Sequence, residues 1–100
     1  MSTKWEMQPN ERRLLGFDCG PDLLDGDSVA SVTTIVAEDE SGTDASSIVG
    51  TSTISDAIIN WWAEHPATEG EYLVTANYVT TLGEELEVEG VLVVKEKGWA

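Results

Sequence analysis

Cys19 and His65 carry the most reactive side chains of this chain, and each residue type occurs only once. Nucleophilic catalysis requires a histidine within hydrogen-bond distance of the cysteine or a serine, and a third group that orients it. His65 instead precedes Pro66 in a polar stretch that gives no sign of such an arrangement. We therefore expect Cys19 to be a small half-buried residue, His65 to be a solvated loop residue, and the chain not to be an enzyme.

The acidic residues offer oxygen ligands, but their spacing does not match a known site. Asp25-Gly26-Asp27 and Glu38-Asp39-Glu40 lack the calcium-loop spacing D-x-[DN]-x-[DN]-G. Paired catalytic carboxylates need a cleft that shifts their pKa values, whereas Glu85, Glu87 and Glu89 alternate along one predicted strand face. Zinc spacing, a phosphate loop and a nucleophile elbow are also missing. We expect no metal and no cofactor.

The four tryptophans are the strongest candidates for contacts with other molecules. Adjacent Trp61 and Trp62 point to opposite faces of a strand, so one enters the core and the other lies outside, without an indication of which. Aromatic residues near chain ends are enriched at interfaces, although they can also fold back on their own body. The candidate protein-contact residues are Trp5, Met7, Trp61, Trp62 and Trp99. An exposed tryptophan would also suit a stacked sugar.

The formal net charge of −14, from 19 acidic and five basic residues, limits the partners. Nucleic-acid binding needs a basic stripe, and an anionic membrane repels such a chain. The sequence has neither a bilayer-spanning apolar run of about 20 residues nor a signal-peptide pattern at its start. We expect a protein folded in a cytoplasm, which binds neither nucleic acid nor membrane. The charge either steers it toward basic protein surfaces or is a plain solvated surface.

The last third of the chain gives the clearest structural signal, a β-hairpin. Apolar and polar residues alternate in two segments around Gly83, and a slip of one residue would bury three glutamates, which fixes the register. The residues of its inner face are Tyr72, Val74, Ala76, Tyr78, Leu86, Val88, Gly90, Leu92 and Val94. Four shorter strands are predicted over 12–19, 28–37, 48–54 and 56–63, with a bulge proposed at Gly16 or Gly50. Segments 28–37 and 56–63 also fit a helical spacing, but their β-branched and aromatic residues favour strands.

Six or seven short strands without a long helix predict an all-β fold, a single immunoglobulin-like antiparallel β-sandwich. Tyr72, which follows Gly70 near the start of a late strand, is placed like the tyrosine that anchors a corner of such sandwiches. The predicted organisation is an extended N-terminal arm over 1–11, the sandwich over 12–97 and a C-terminal tail over 98–100.

Three stretches of the chain are similar to a family of small tailed-phage proteins, the phage fiber–tail adaptor proteins. They are WEMQPNER (5–12), LDGDSVASV (24–32) and EYLVTANYVTT (71–81) followed by Gly83. The resemblance covers about Trp5 to Lys97. It implies a single immunoglobulin-like sandwich with a short N-terminal arm, a structural role in the virion and no catalytic residues.

From this resemblance we expect a connector or adaptor at the neck or tail of a bacteriophage particle, made in the bacterial host cytoplasm. Its partners would be neck, tail or fiber subunits with basic facing surfaces, and it could form a homo-oligomeric ring. Two other functions remain open. One is an acidic DNA mimic that inhibits a host DNA-binding protein, and the other is a capsid-decorating or carbohydrate-binding immunoglobulin-like module.

Overall fold

Alternating apolar and polar residues form seven β-strands in the computed structural model, which describes residues 3–96. The strands are β1 (Thr3–Met7), β2 (Arg12–Asp18), β3 (Val29–Glu38), β4 (Val49–Ser55), β5 (Ile58–Glu64), β6 (Gly70–Thr80) and β7 (Glu85–Val94). Two 3-10 turns, Gly20–Asp22 and Ser46–Ile48, lie between strands. Within residues 3–96, no helix is long and apolar enough to cross a membrane.

The strands form two sheets that pack face to face. One sheet has the order β1-β7-β6-β3 and the other has the order β2-β5-β4. This arrangement, in which the first strand lies beside the last, confirms the predicted all-β sandwich. The pair β1–β7 is parallel, while the other neighbouring strands are antiparallel.

The β6–β7 hairpin has the predicted register. Tyr72 pairs with Leu92, and Tyr78 pairs with Leu86, so the alternating apolar residues of both strands face the second sheet. Glu85, Glu87 and Glu89 of β7 are exposed on the outer face, as the pattern indicates. Because β6 has 11 residues and β7 has ten, with alternate residues buried, their inner face provides much of the core.

Residues 3–7, which the sequence assigned to a separate arm, are an integral strand of the larger sheet. Trp5 and Met7 point inward, whereas Lys4 and Glu6 point outward, and the strand pairs with residues 90–94 of β7. Burial of the two apolar side chains explains why this segment joins the sheet. The predicted tail over 98–100, with Trp99, lies outside the described residues.

The segments with an alternative helical spacing are strands. Segment 28–37 forms β3, and segment 56–63 provides a two-residue turn followed by β5. The turn is possible because Asp56 adopts a positive φ of 56°. The bulge proposed at Gly16 is wrong, because β2 pairs with β5 in continuous register. The bulge proposed at Gly50 agrees with the structure, because the β4–β5 register shifts between Val49 and Ser52.

Tyr72 anchors the corner between β5 and β6. Its hydroxyl donates a hydrogen bond of 2.6 Å to the carbonyl oxygen of Thr68, four residues upstream. This is the geometry of the tyrosine corner of immunoglobulin-like sandwiches, and it confirms the role predicted from the sequence. Tyr78, deeper in the same strand, is 1% exposed, and its hydroxyl lies beside the Cys19 thiol without a hydrogen bond of regular geometry among the described residues.

Replacing these two tyrosines by phenylalanine should have different effects on stability. Tyr72→Phe removes a formed hydrogen bond, so we expect the free energy of unfolding to fall by about 1 kcal/mol. Tyr78→Phe removes a buried hydroxyl whose only polar neighbour is the weakly bonding Cys19 thiol, so it should leave stability unchanged or raise it. Urea denaturation measures both variants. An equal loss in the two variants would contradict the assigned corner.

Asp27 joins the β2–β3 loop to the β6–β7 turn. Its Oδ1 accepts the N–H groups of Ser28 at 2.8 Å and of Leu82 at 3.1 Å, while Thr81 N–H donates to the Ser28 carbonyl at 2.9 Å. Desolvation raises the pKa of Asp27, but hydrogen bonds from the Thr80 hydroxyl and these N–H groups outweigh it. The net result is a pKa of the Asp27 carboxyl below its usual range.

The lowered pKa of Asp27 predicts a pH-dependent contribution to stability. A carboxyl whose pKa is lower in the folded state than in the unfolded state stabilises the folded protein. This contribution is complete above the unfolded-state pKa of about 4, and it disappears as the pH falls through the folded-state pKa. Asp27→Asn should therefore be less stable than the wild type at pH 7, and the difference should shrink steadily below about pH 4. Urea denaturation from pH 7 to pH 2 provides the measurement. Asp25→Asn, at an exposed position of the same loop, is the control.

Candidate interaction surfaces

Three aromatic side chains form a cluster between the two sheets. Trp5 of β1 contacts Phe17 of β2 and Trp61 of β5 edge-on, with ring centroids 4.8 and 5.4 Å apart. The indole N–H of Trp5 donates to the carbonyl oxygen of Gly16 at 3.2 Å. The cluster thus connects the four-stranded sheet to the three-stranded sheet through both packing and a hydrogen bond.

Three of the five predicted contact residues belong to this interior. Trp61 has no exposed surface, Met7 is 4% exposed, and Trp5 is half-buried in the cluster. Met7 and Trp61 are therefore not accessible to a partner of the folded chain. The adjacent Trp62 is the outward-facing residue of the pair, and Trp99 lies outside the described residues.

Gly90 of β7 leaves the space that Trp5 occupies. A Cβ atom at position 90 would lie 2.5 Å from Cη2 of Trp5, far inside contact distance. Gly90→Ala should therefore lower the free energy of unfolding by about 1–3 kcal/mol through overpacking. The test is a double-mutant cycle with Trp5→Leu, in which urea denaturation gives the free energy of unfolding of each variant. The cost of Gly90→Ala should be much smaller in the Trp5→Leu background. An equal cost in both backgrounds would contradict this contact.

Trp62 lies on the outer face of the three-stranded sheet, where it is held by charged neighbours. The Arg12 guanidinium lies 3.9 Å from the centre of the Trp62 ring, and the Arg12 Nε forms an ion pair with Glu64. Leu14, which pairs with Trp62 across β2 and β5, is 52% exposed. We call Arg12, Leu14, Trp62 and Glu64 the Trp62 surface.

The Trp62 surface has the composition of a protein-contact site. A fixed aromatic ring with an adjacent exposed leucine provides apolar area at low entropic cost, and arginine and tryptophan are the residues most enriched among binding hot spots. Because Arg12 already covers the Trp62 ring, a stacked sugar would first have to displace it. The face of the Trp62 ring that Arg12 covers is therefore closed to stacking in this conformation.

A second apolar surface lies on the outer face of the four-stranded sheet. Val36 is 40% exposed and Leu73 is 41% exposed, and Leu73 pairs directly with Val91. Glu71 and Glu89 flank this stripe on β6 and β7. The sequence did not predict this surface. Its signal was the apolar residues Leu73 and Val91, which stand where the alternation of the two strands calls for polar residues.

An open cleft of about 690 Å³ lies at one end of the sandwich, between residues 39–48 and 64–72. Its carboxylates mostly bind the chain's own loops. Asp39 Oδ1 accepts the Ser41 hydroxyl at 2.7 Å and the Thr43 N–H at 3.0 Å, which lowers the Asp39 pKa. Glu40 Oε1 likewise accepts the N–H of Glu71 at 2.8 Å. Among residues 3–96, no group of potential ligands has the arrangement of a metal site.

Cys19 and His65 lie at opposite ends of the β2–β5 pair, which are about 20 Å apart at roughly 3.3 Å per residue. Cys19 is fully buried, and burial raises the pKa of its thiol, which keeps it protonated. His65 is exposed, with Nδ1 3.0 Å from the carbonyl oxygen of Asn10. The structure therefore does not assemble a cysteine–histidine pair from these two residues.

A scan against models of known protein families finds no match to this chain, and a search of curated proteins finds no similar sequence. Functional inference therefore depends on the surfaces described above.

Proposed function

We propose that this chain is a non-enzymatic structural protein of a tailed bacteriophage particle, a connector that binds neighbouring subunits at the neck or tail. The resemblance of three stretches to phage fiber–tail adaptor proteins supports the class of protein. The immunoglobulin-like sandwich is a rigid scaffold that suits such a role, because the strands hold surface side chains in fixed positions.

The observation that carries the proposal is the Trp62 surface. Its ring is oriented by Arg12, which in turn pairs with Glu64, so the aromatic anchor is positioned before a partner arrives. A preorganised anchor binds with less loss of side-chain entropy than a mobile one. An exposed Leu14 beside it extends the apolar area available for burial.

The net charge of −14 supports a partner with a basic surface. Around the apolar centre, basic residues on the partner would be attracted by the acidic surface and would raise the association rate. The expected partner is therefore a virion subunit with an apolar pocket for Trp62 and a basic rim. Such binding weakens as salt screens the charges.

Binding to purified neck, tail and fiber subunits of the phage that encodes this chain tests the proposal. Trp62→Ala should weaken the complex by about tenfold or more, since truncated aromatic hot spots typically cost at least 2 kcal/mol. Leu82→Ala is the matched control because Leu82 is 63% exposed at the β6–β7 turn, remote from the Trp62 surface. Isothermal titration calorimetry measures both variants at two salt concentrations.

Three results would contradict the proposal. One is that the wild type binds none of these subunits, and another is that Trp62→Ala and Leu82→Ala bind as the wild type does. A third is competition with DNA for a host DNA-binding protein, which would instead support the acidic-decoy function.

A further inference from the structure

The edges of the two sheets differ in how they are protected against pairing with another strand. Exposed edges of monomeric proteins usually carry charged residues, proline or bulges. β1 carries Lys4 and Glu6, and β2 carries Arg12, Arg13 and Asp18. β3 has two register shifts, and its ends are closed by hydrogen bonds from the Val29 N–H to the Asp56 carbonyl and from the Ala45 N–H to the Ala37 carbonyl.

β4 has only one of these protections, a register shift at its start beside Gly50. Its sequence, VGTSTIS, contains neither a charged residue nor proline, and residues 51–55 are all exposed. Pairing with β5 is regular from Ser52 to Ser55, because the register shift lies before Ser52. In a chain in which 24% of residues are charged, a seven-residue edge strand without a charge, five of whose residues are exposed, stands out.

The backbone of β4 presents hydrogen-bonding groups to solvent. Ser55 and Ile58 flank the two-residue turn and form a hydrogen-bonded pair. In an antiparallel ladder, hydrogen-bonded and non-hydrogen-bonded pairs alternate, so the pairs that Ser52 and Ile54 form with β5 are non-hydrogen-bonded. The N–H and C=O groups of Ser52 and Ile54 therefore point away from β5. Ile54, which faces the other sheet, is nevertheless 38% exposed at this edge.

We propose that β4 is a self-association site at which a second copy of this chain adds its own β4 in antiparallel orientation. Thr53 lies on the two-fold axis, and Ser52 pairs with Ile54 of the second copy. The outward-facing N–H and C=O groups of Ser52 in one copy thus form hydrogen bonds with those of Ile54 in the other. The three-stranded sheet then continues through both copies. A two-fold contact of this kind closes on itself and forms a dimer rather than a fibre.

The charge distribution favours a second copy as the occupant. Two chains of net charge −14 repel at most of their surface, and the uncharged β4 edge is where they approach with the least repulsion. A basic partner would gain no electrostatic attraction from the β4 side chains. In this register Asp56, just after β4, lies opposite Gly50 of the second copy, beside the Glu64 of that copy. Salt should therefore strengthen the dimer by screening the repulsion between these two carboxylates.

Sedimentation velocity over a wide range of protein concentration, at low and high salt, provides the test. Thr53→Glu and Thr53→Lys each place like charges opposite one another at the axis, so each variant should dimerise on the order of fivefold more weakly. An equal mixture of the two should restore association, because opposite charges then meet. Thr68→Glu, which adds the same charge on the exposed β5–β6 loop, should associate like the wild type.

A wild type that stays monomeric at high concentration and high salt would overturn the proposal, as would Thr53→Glu dimerising as well as the wild type. Amide hydrogen exchange of the unmodified chain gives a second readout. Protection of the Ser52 and Ile54 N–H groups should rise with protein concentration, and protection independent of concentration would contradict the contact. The proposal is independent of virion binding, which the Trp62→Ala experiment tests separately.

Discussion

The packing of Trp5 against Phe17 and Trp61 joins the two sheets of this sandwich. It brings β1 of one sheet against β2 and β5 of the other, with ring centroids 4.8 and 5.4 Å apart. The contact exists only because Gly90 has no side chain at the point where the Trp5 ring crosses β7. Without β1, residues 90–94 of β7 would be an exposed edge without a charge, and Trp5 anchors the strand that covers it.

The two stretches LDGDSVASV (24–32) and EYLVTANYVTT (71–81) have a structural role that the sequence did not reveal. Asp27 and Ser28, from the first of these, bind the turn at Thr81 and Leu82, where the second ends. The two stretches thus form one contact between a loop and a hairpin turn. Residues of this kind specify the fold, whereas the partner must be inferred from surfaces such as the Trp62 surface, which lies largely outside these stretches.

Local patterns were sufficient to predict much of the fold. The β6–β7 hairpin followed from strict alternation, and the tyrosine corner followed from the position of Tyr72. The choice between Trp61 and Trp62 could not be made, because alternation places the two on opposite faces without indicating which face meets the second sheet. Pairing of Trp61 with Leu15 and of Ile59 with Phe17 aligns their inward faces, and this is a long-range property.

The same limit explains the features that the sequence analysis missed. Parallel pairing of β1 with β7 joins residues that are almost ninety positions apart. The two strands are not joined by a hairpin turn, so the sequence carries no local signal of their pairing. The exposed edge of β4 likewise depends on which strands end each sheet, which no local pattern encodes. Interaction surfaces are therefore harder to predict than strands, because each depends on several strands at once.

Amide hydrogen exchange of β1 tests most directly whether the cluster holds the sandwich together. If Trp5 joins the two sheets, the β1 amides that bond to β7 should exchange as slowly as those at the centre of β7, and Trp5→Leu should accelerate exchange in β1, β2 and β5 together. Rapid exchange of β1 in the wild type, with β2 and β5 fully protected, would show that residues 3–7 are a loosely attached arm and would contradict this account.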